Sequence, residues 1–479
     1  MKLAPRACAR LLQSSNPIRL YGKVNKVVGL VVEGGGLRAP LGAVCHLMTN
    51  EEDAGVAAEV VGFRDGNLLF MPYGDMRGIR PGSRIRNTSL PPVFPVGPDL
   101  LGRTLDAFGA PLDMGPPINA DPGMASPLVH DAAARRDFER KAAERSLFSP
   151  AWAQTAKDAW PPEFASIYAD PPAPLLRPRI TDMLDVGVRS INSLLTIGKG
   201  QRVGIMAGSG VGKSTLMGMM ARYTRADVNV IALIGERGRE VLEFMERDLG
   251  AEGMARSVLV VATSDQSPLV RMRAAYAATA VAEYFRDKGK DVLFMMDSVT
   301  RFAMAAREVG LAVGEPPTTK GYTPTVFAQL PKLLERAGRS AKGTITGVYT
   351  VLVDGDDFNE PIADAARSIL DGHIVLTREL ADQGHYPSID VLRSISRLRS
   401  DICAREDISA GQTVARLMSV YRRVEDMINI GAYAAGGNPE IDEAIARLPA
   451  INAFLRQDVG EPQSLEQSFA QLRALAVPV

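Results

Sequence analysis

The chain is short of cysteine, histidine and aromatic residues, carries no net charge and has no long apolar run. Its three cysteines, Cys8, Cys45 and Cys403, are far apart and odd in number. That excludes a disulfide framework and any C-x-x-C metal site, and it fits a reducing compartment. No stretch approaches the roughly 18 apolar residues of a membrane-spanning helix. Fifty-five basic residues balance 55 acidic ones, so no whole-chain field draws nucleic acid or anionic lipid. The opening "MKLAPRACARLLQSSNP" is basic, but Arg6 and Arg10 interrupt any signal-peptide apolar core. It reads as a short amphipathic segment, either a frayed end or a docking helix. What remains is 46% hydrophobic and 23% charged over 479 residues, the profile of a soluble globular chain of two or three domains.

Residues 18–96 read as β. In "AEVVGFRDGNLLFMP" the pair Asp65-Gly66 separates two apolar stretches, a strong hairpin signal because both turn positions tolerate positive φ. The strands are short and turns recur at Gly34–Gly36 and Pro81-Gly82, so a small closed barrel is expected to hide their edges. Residues 97–400 form the next expected domain, with an insertion at 114–170. There "DAAARRDFERKAAERSLF" predicts a helix over 130–148, with Asp137 and Lys141 at i,i+4. A proline-rich stretch follows, in which Trp152, Trp160 and Phe164 are expected to pin the segment to the surface as a clamp; a partner-binding arm is the alternative. From 200 to 400 the runs "RVGIM", "VNVIALI", "SVLVVAT", "DVLFMMD", "GVYTVLVD" and "HIVL" alternate with helical stretches, which implies a mostly parallel sheet covered on both faces. Residues 401–479 read as helical. Val414, Leu417, Met418, Tyr421, Val424, Met427 and Ile428 are spaced to line one face, before "GAYAAGGNP" interrupts. No internal repeat is evident.

The chemistry concentrates at "AGSGVGKST", between the apolar strand "RVGIM" and the helical "LMGMMARYT". A strand, a glycine-rich loop ending Gly-Lys-Ser and a helix make a phosphate cradle. Backbone N–H groups of Gly208, Ser209, Gly210, Val211, Gly212, Lys213, Ser214 and Thr215 are expected to face phosphates, and Lys213 to reach the terminal ones. Glycine is needed because a Cβ would block the backbone's close approach. The Ser214 hydroxyl is placed for Mg²⁺. Ala207 stands where the strict G-x-x-x-x-G-K-[ST] pattern has glycine. Asp297 ends the strand "VLFMMD", where a carboxylate holds Mg²⁺ directly or through water. Glu236 follows the strand in "IALIGERGRE", where it could polarise an attacking water or form a structural ion pair with Arg237 or Arg239. "GHYPSIDVLRSISR" supplies Tyr386, for stacking on adenine or for core packing, and Arg397.

These stretches, with "VVATSDQSPL", "MMDSVTRFA", "GEPPTTKGYTP" and "DDFNEPIAD" in the same order, resemble the catalytic subunits of the rotary ATP synthase superfamily. The resemblance is greatest to the type III protein-export ATPases and, through "INIGAYAAGGNPEIDEAI", to their flagellar branch. It covers 100–113 and nearly everything from 171 to 460. It implies an α/β fold: a RecA-like P-loop nucleotide domain, an N-terminal β-barrel and a C-terminal helical domain. It also implies ATP and Mg²⁺ at one site. Lys213 and Ser214 would hold phosphates and metal, Asp297 would be the metal-side carboxylate, and Glu236 would activate water with support from Arg237. Arg301 would lie near the γ-phosphate, Tyr386 on adenine, and Arg397 would act across a subunit boundary as an arginine finger. Such a finger implies a homohexamer, because one chain carries both halves of the site. The implied setting is cytoplasmic, at the inner face of the plasma membrane. Implied partners are export-gate membrane proteins, a central stalk protein, chaperone–substrate complexes and a stator-like regulator at residues 1–17, with no nucleic acid.

Four other readings compete. An injectisome export ATPase is the alternative within the same resemblance, against which "INIGAYAAGGNPEIDEAI" resembles the flagellar branch more. A rotary ATP synthase catalytic subunit works beside a noncatalytic partner and would not need Glu236 and Arg397 in one chain. A hexameric RNA translocase would need a basic, aromatic-rich platform, against zero net charge and an aromatic-poor barrel. A regulator without turnover would not need Glu236, Asp297 and Arg397 together.

Overall fold

The computed structural model describes residues 20–49, 55–88, 92–113, 115, 118, 164–353 and 360–477. The expected docking segment at 1–17, the expected helix at 130–148, and Trp152 and Trp160 lie outside them. The chain divides into two compact units. One comprises residues 1–169, 259–284 and 302–328; the other comprises 170–258, 285–301 and 329–479.

The first unit is built on the expected barrel. Strands β1 (Tyr21–Val28), β2 (Val31–Gly35), β3 (Val44–Leu47), β4 (Val56–Arg64), β5 (Asn67–Pro72) and β6 (Arg84–Asn87) close in the order β1-β2-β5-β4-β3-β6. Closure leaves no open sheet edge. Val32, Cys45, Leu47, Ala58, Val60, Phe70 and Ile85 fill the interior. Asp65 and Gly66 take φ of 49° and 78° between the paired residues Arg64 and Asn67, the expected two-residue hairpin. A Cβ on Gly34 would sit 2.2 Å from Ile85 Cδ1, so glycine is required where β2 crosses the core.

The end of the expected insertion proves to be core. Strand β7 (Val93–Pro95) pairs antiparallel with β9 (Phe164–Ser166), and Ile167 is fully buried. The Tyr168 hydroxyl donates to Glu59 at 3.1 Å. Residues 164–168 are therefore structural, and a deletion of 120–168 would remove a strand. A three-residue strand among prolines gives no periodicity, so composition alone assigns it to the surface. Phe164 is buried as expected. Strand β8 (Thr104–Leu105) pairs in parallel with Leu259 and Val260.

The second unit holds the parallel sheet. A ribbon of β10 (Met183–Leu184) and β11 (Ile197–Gly198) precedes β12 (Arg202–Ala207), β13 (Val228–Ile234), β14 (Ser257–Ala262), β15 (Asp291–Asp297), β16 (Gly338–Arg339), β17 (Thr344–Leu352), β18 (Gly372–Leu376) and β19 (Ile395–Ser396). Within this unit the order runs β19-β18-β12-β17-β15-β13, with β16 on β17; from residue 259 on, β14 belongs to the first unit. Pairing is parallel except at β16 and β19. Strand β13, "VNVIALI", is buried at every residue, as a strand covered on both faces must be. Ala207 lies opposite Leu352 and Leu376, and Leu233 opposite Asp297. The carboxyl ends of these strands thus share one edge, where open α/β sheets bind ligands.

Three long helices end the chain. Helices α1 (Lys213–Tyr223), α2 (Gly238–Glu243) and α3 (Pro361–Ile369) accompany the sheet strands, and α4 (Arg405–Asn429), α5 (Pro439–Leu455) and α6 (Leu465–Ala476) follow them. Val414 and Leu417 are buried on α4 as expected, together with Ala410 and Val420, but Met427 is 47% exposed. Arg416 pairs with Glu440 and Glu443, so the first turn of α5 is level with residue 416 and the last turns of α4 outrun it. The apolar stripe continues in sequence beyond the helix that could cover it.

Candidate active site

Strand β12 runs into a loop whose glycines do what the sequence requires of them. Gly210 and Gly212 take φ of 78° and 88°, and α1 begins at Lys213 immediately after. The loop is gripped through its carbonyls: Arg378 Nη2 donates to Ser209 O at 3.1 Å and Ser388 Oγ to Val211 O at 2.6 Å. Those bonds hold two of the loop's carbonyls, and the helix N-terminus beside them carries the partial positive charge that suits an anion.

Three of the expected residues converge there. Lys213 Nζ lies 2.6 Å from Asp297 Oδ1 and 3.6 Å from Glu236 Oε1, and all three side chains are largely buried. Asp297 closes β15, and its Oδ1 also accepts from Thr350 Oγ1 at 2.7 Å. Burial pushes the Lys213 ammonium down, but the charges of Asp297 and Glu236 and their hydrogen bonds more than offset this, so it stays charged. Glu236 is pushed up to about 7, first by burial, then by the Asp297 charge, with Glu240 adding to the rise and Lys213 opposing it. Glu240, held by a hydrogen bond from Glu236 and by the Arg237 backbone, lies below its ordinary value. The Glu236 carboxyl is thus held near neutrality, the range in which a general base works.

Arg301 completes the floor. Its stem packs against Gly235, where a Cβ would meet Arg301 Cβ at 3.0 Å. Its Nε is buried without a hydrogen-bond partner among the described residues. An orphaned guanidinium N–H at this edge matches an anionic oxygen. Ser214 and Thr215 are half-buried on the first turn of α1. No cluster of three or more metal-ligating side chains occurs among the described residues. Such a sparse set fits Mg²⁺, which takes one or two carboxylates and completes its shell with waters and phosphate oxygens. Asp297 and Ser214 are the residues present for it.

The remaining expected residues separate. Arg237 is 77% exposed on its side chain and pairs with Glu240, while Arg239 pairs with Glu243. Neither makes the ion pair with Glu236 that its structural alternative required. Tyr386 is 47% exposed and lies against the loop, for a Cβ on Gly212 would meet its ring at 3.5 Å. It lines a cavity of about 540 Å³ with Gly212, Thr215, Leu216, Met219 and Pro387. Arg397 is exposed at the far edge, its Nη2 donating to Arg367 O at 3.2 Å. No bond joins it to Lys213, Glu236 or Asp297.

Sequence reasoning missed three parts. Glu240, four residues after Glu236 and in the first turn of α2, was legible as a second carboxylate close by in sequence. Thr350 carried no signal, because its role comes from β17 lying beside β15. The cavity's second wall, Arg456–Val459 and Glu461, comes from the turn between α5 and α6. The Gln457 backbone N–H donates to Tyr386 O at 3.0 Å, and its side chain holds Gly187 O and Glu461 O, fixing that wall.

Comparisons with known proteins agree with this layout. Three family models match in order: the beta-barrel domain of the ATP synthase alpha/beta family over 24–89, its nucleotide-binding domain over 187–396, and the T3SS EscN ATPase C-terminal domain over 403–474. The chain is 52% identical over 465 residues to the flagellum-specific ATP synthase of Bacillus subtilis (strain 168), covering 97% of each. It matches the assembled ATPase EscN of the enteropathogenic E. coli type III secretion system with a TM-score of 0.82 at 41% identity, covering 95% of this chain and 100% of that one. EscN in complex with its central stalk EscO gives 0.79 at 41% identity over the same shares. With barrel, nucleotide domain and C-terminal domain matched in order, the chain belongs to the ATP synthase alpha/beta family, among its flagellum-specific and type III secretion ATPases.

Proposed function

We propose that this chain is the motor subunit of a flagellar type III export apparatus, a homohexamer that hydrolyses MgATP to energise export of flagellar proteins. The observation that carries the chemistry is the Lys213–Asp297–Glu236 cluster at the carboxyl edge of the parallel sheet. In this reading the amides of 208–215 and Lys213 bind the phosphates, and Lys213 exchanges Asp297 for a phosphate oxygen when nucleotide enters. Ser214 and Asp297 would hold the Mg²⁺ of the nucleotide, which would supply charge neutralisation at the phosphates. Glu236, with a pKa raised to about 7, orients the attacking water and accepts its proton. Arg301 faces the γ-phosphate through its unpartnered Nε, and Tyr386 covers adenine. Arg237, exposed at the start of α2, supports the loop bearing Glu236 through Glu240.

Arg397 serves the site of the adjacent copy, which explains why an arginine in the expected motif sits apart from its own cluster. The ring is read as peripheral at the cytoplasmic membrane face. Other copies of itself and a central stalk protein are its partners, as EscN assembles and binds EscO. Gate membrane proteins, chaperone–substrate complexes and a regulator at residues 1–17 complete the proposal. The test is complementation in mixed rings. Arg397→Ala alone is expected to reduce turnover per chain by roughly 10³-fold. Mixing it with Glu236→Gln, itself inactive, is expected to restore part of the rate, because some interfaces then carry both wild-type residues. No recovery in rings shown to contain both chains refutes the shared site.

A further inference from the structure

The edge bearing Arg397 is tied down residue by residue. Strand β19 pairs antiparallel with β18, Gly372 opposite Ser396 and His373 opposite Ile395. The approach is close, for a Cβ on Gly372 would sit 2.5 Å from Ile395 O. Arg397 N donates to Asp371 O at 3.0 Å, Ser396 Oγ to Thr196 O at 2.7 Å, and Val375 N to Ser394 Oγ at 2.9 Å. Within this edge the His373 ring reaches across to the chain entering β19: its Nε2 lies 3.1 Å from Arg393 O. A carbonyl can only accept, so Nε2 carries the proton and donates it. His373 is also register partner to Gly204 of β12, the strand that leads into the phosphate loop.

We infer that His373 is a positioning residue for the arginine finger, fixing the direction in which Arg397 leaves β19 toward the neighbouring copy. This rests on the reading of Arg397 given above. The charge state suits the task. Burial, and then the nearby Arg367 and Arg397 guanidiniums, hold the ring below the ordinary imidazole value, so it is neutral at pH 7. It anchors a carbonyl without adding a positive charge beside the finger. Loss of that anchor releases the Arg393 carbonyl while the bonds at 394–397 remain, so the expected change is a small shift in the path into β19; even about 1 Å at a catalytic group costs on the order of 100-fold.

The experiment is a double-mutant cycle on ATPase rates of assembled rings, with His373→Ala, Arg397→Ala and the pair. His373→Ala is expected to lower kcat by about 10- to 100-fold with KM for ATP and nucleotide binding unchanged, since Lys213, Asp297 and Tyr386 are untouched. In the Arg397→Ala background it is expected to remove nothing further. His373→Gln, which keeps a side-chain N–H donor, is expected to retain most of the rate and guards against misfolding of the alanine variant. Mixed with Glu236→Gln, His373→Ala is expected to recover activity in trans, as Arg397→Ala does. An additive loss in the double mutant, or weaker ATP binding in step with kcat, overturns the positioning role while leaving the finger intact. A wild-type rate for Arg397→Ala instead overturns the finger itself.

Discussion

Glu59 and Glu236 are both buried glutamates whose carboxyl groups burial pushes above their ordinary values, and their surroundings differ in kind. Glu59, on β4, accepts from the Tyr73 hydroxyl at 2.5 Å and the Tyr168 hydroxyl at 3.1 Å. The nearby Arg273 lowers its pKa in part, but that guanidinium is committed to Ala107 O and Val93 O and packs over the rings of Tyr73 and Phe108. Its partners are neutral donors or a fixed cation, none of which has another engagement to change to. Glu236 sits among groups that do: Lys213, Asp297 and Glu240 all alter its charge, and all would be re-partnered by a nucleotide's phosphates. A raised pKa by itself, which burial can produce as at Glu59, does not mark a reactive site. Like charges at strand tips beside a glycine loop are what mark a reactive site.

That contrast predicts unequal consequences for the same substitution. Glu236→Gln is expected to keep ATP binding and lower kcat by about 10²- to 10⁴-fold, because the amide preserves shape and cannot accept a proton. Glu59→Gln is expected to leave ATPase within roughly twofold, because a near-isosteric change at a buried position away from the site leaves the reacting groups in place. Steady-state ATPase with fluorescent-nucleotide binding separates the two. Comparable loss in both variants erases the distinction, and parental turnover in Glu236→Gln removes the water-activating assignment.

Much of this was legible before the structure, and the illegible parts share a cause. The sheet strands, the barrel and the Asp65-Gly66 hairpin were readable because apolar periodicity and positive-φ turn residues are local signals. Lys213, Ser214, Glu236 and Asp297 were readable because a strand end followed by a specific residue encodes its own placement. Residues 164–168 and the exposure of Met427 were not, since both depend on what lies alongside: β7 in one case, the reach of α5 in the other. The cavity wall at 456–461 was hidden for the same reason, because a turn in the helical region closes on Tyr386, some seventy residues earlier, through a single backbone bond.

The comparison sharpens at Glu240. Its charge and its hydrogen bond with Glu236 both raise the Glu236 carboxyl, so Glu240→Gln lowers it. A base must be ionised to act, and kcat/KM therefore rises with pH through its pKa. The acidic limb of the wild-type profile is expected near pH 7 and that of Glu240→Gln at lower pH, with the plateau reduced far less than in Glu236→Gln. A profile of kcat/KM against pH for the two proteins decides it. An unmoved limb means that Glu240 does not set the charge of Glu236.

The smallest effect is expected at Glu59, and it concerns stability rather than rate. The folded-state pKa of Glu59 is raised above the ordinary 4.5, so the native state binds this proton more tightly than the unfolded chain does. The stability that this group contributes is full below the unfolded value and is lost as pH rises from there through the folded one. Removing the titration with Glu59→Gln keeps a carbonyl acceptor for the Tyr73 and Tyr168 hydroxyls while deleting the slope. The urea midpoint of the wild-type chain is therefore expected to fall, relative to Glu59→Gln, as pH is raised from about 4.5 toward about 8. All other titrating groups are common to the two proteins and cancel in the difference. A difference that stays flat with pH shows that Glu59 is already ionised in the folded chain, stabilised by Arg273 and the two hydroxyls. In that case Glu59 would be fully charged at neutral pH where Glu236, held at about 7, is only partly so, and the two would still differ in what their neighbours can do.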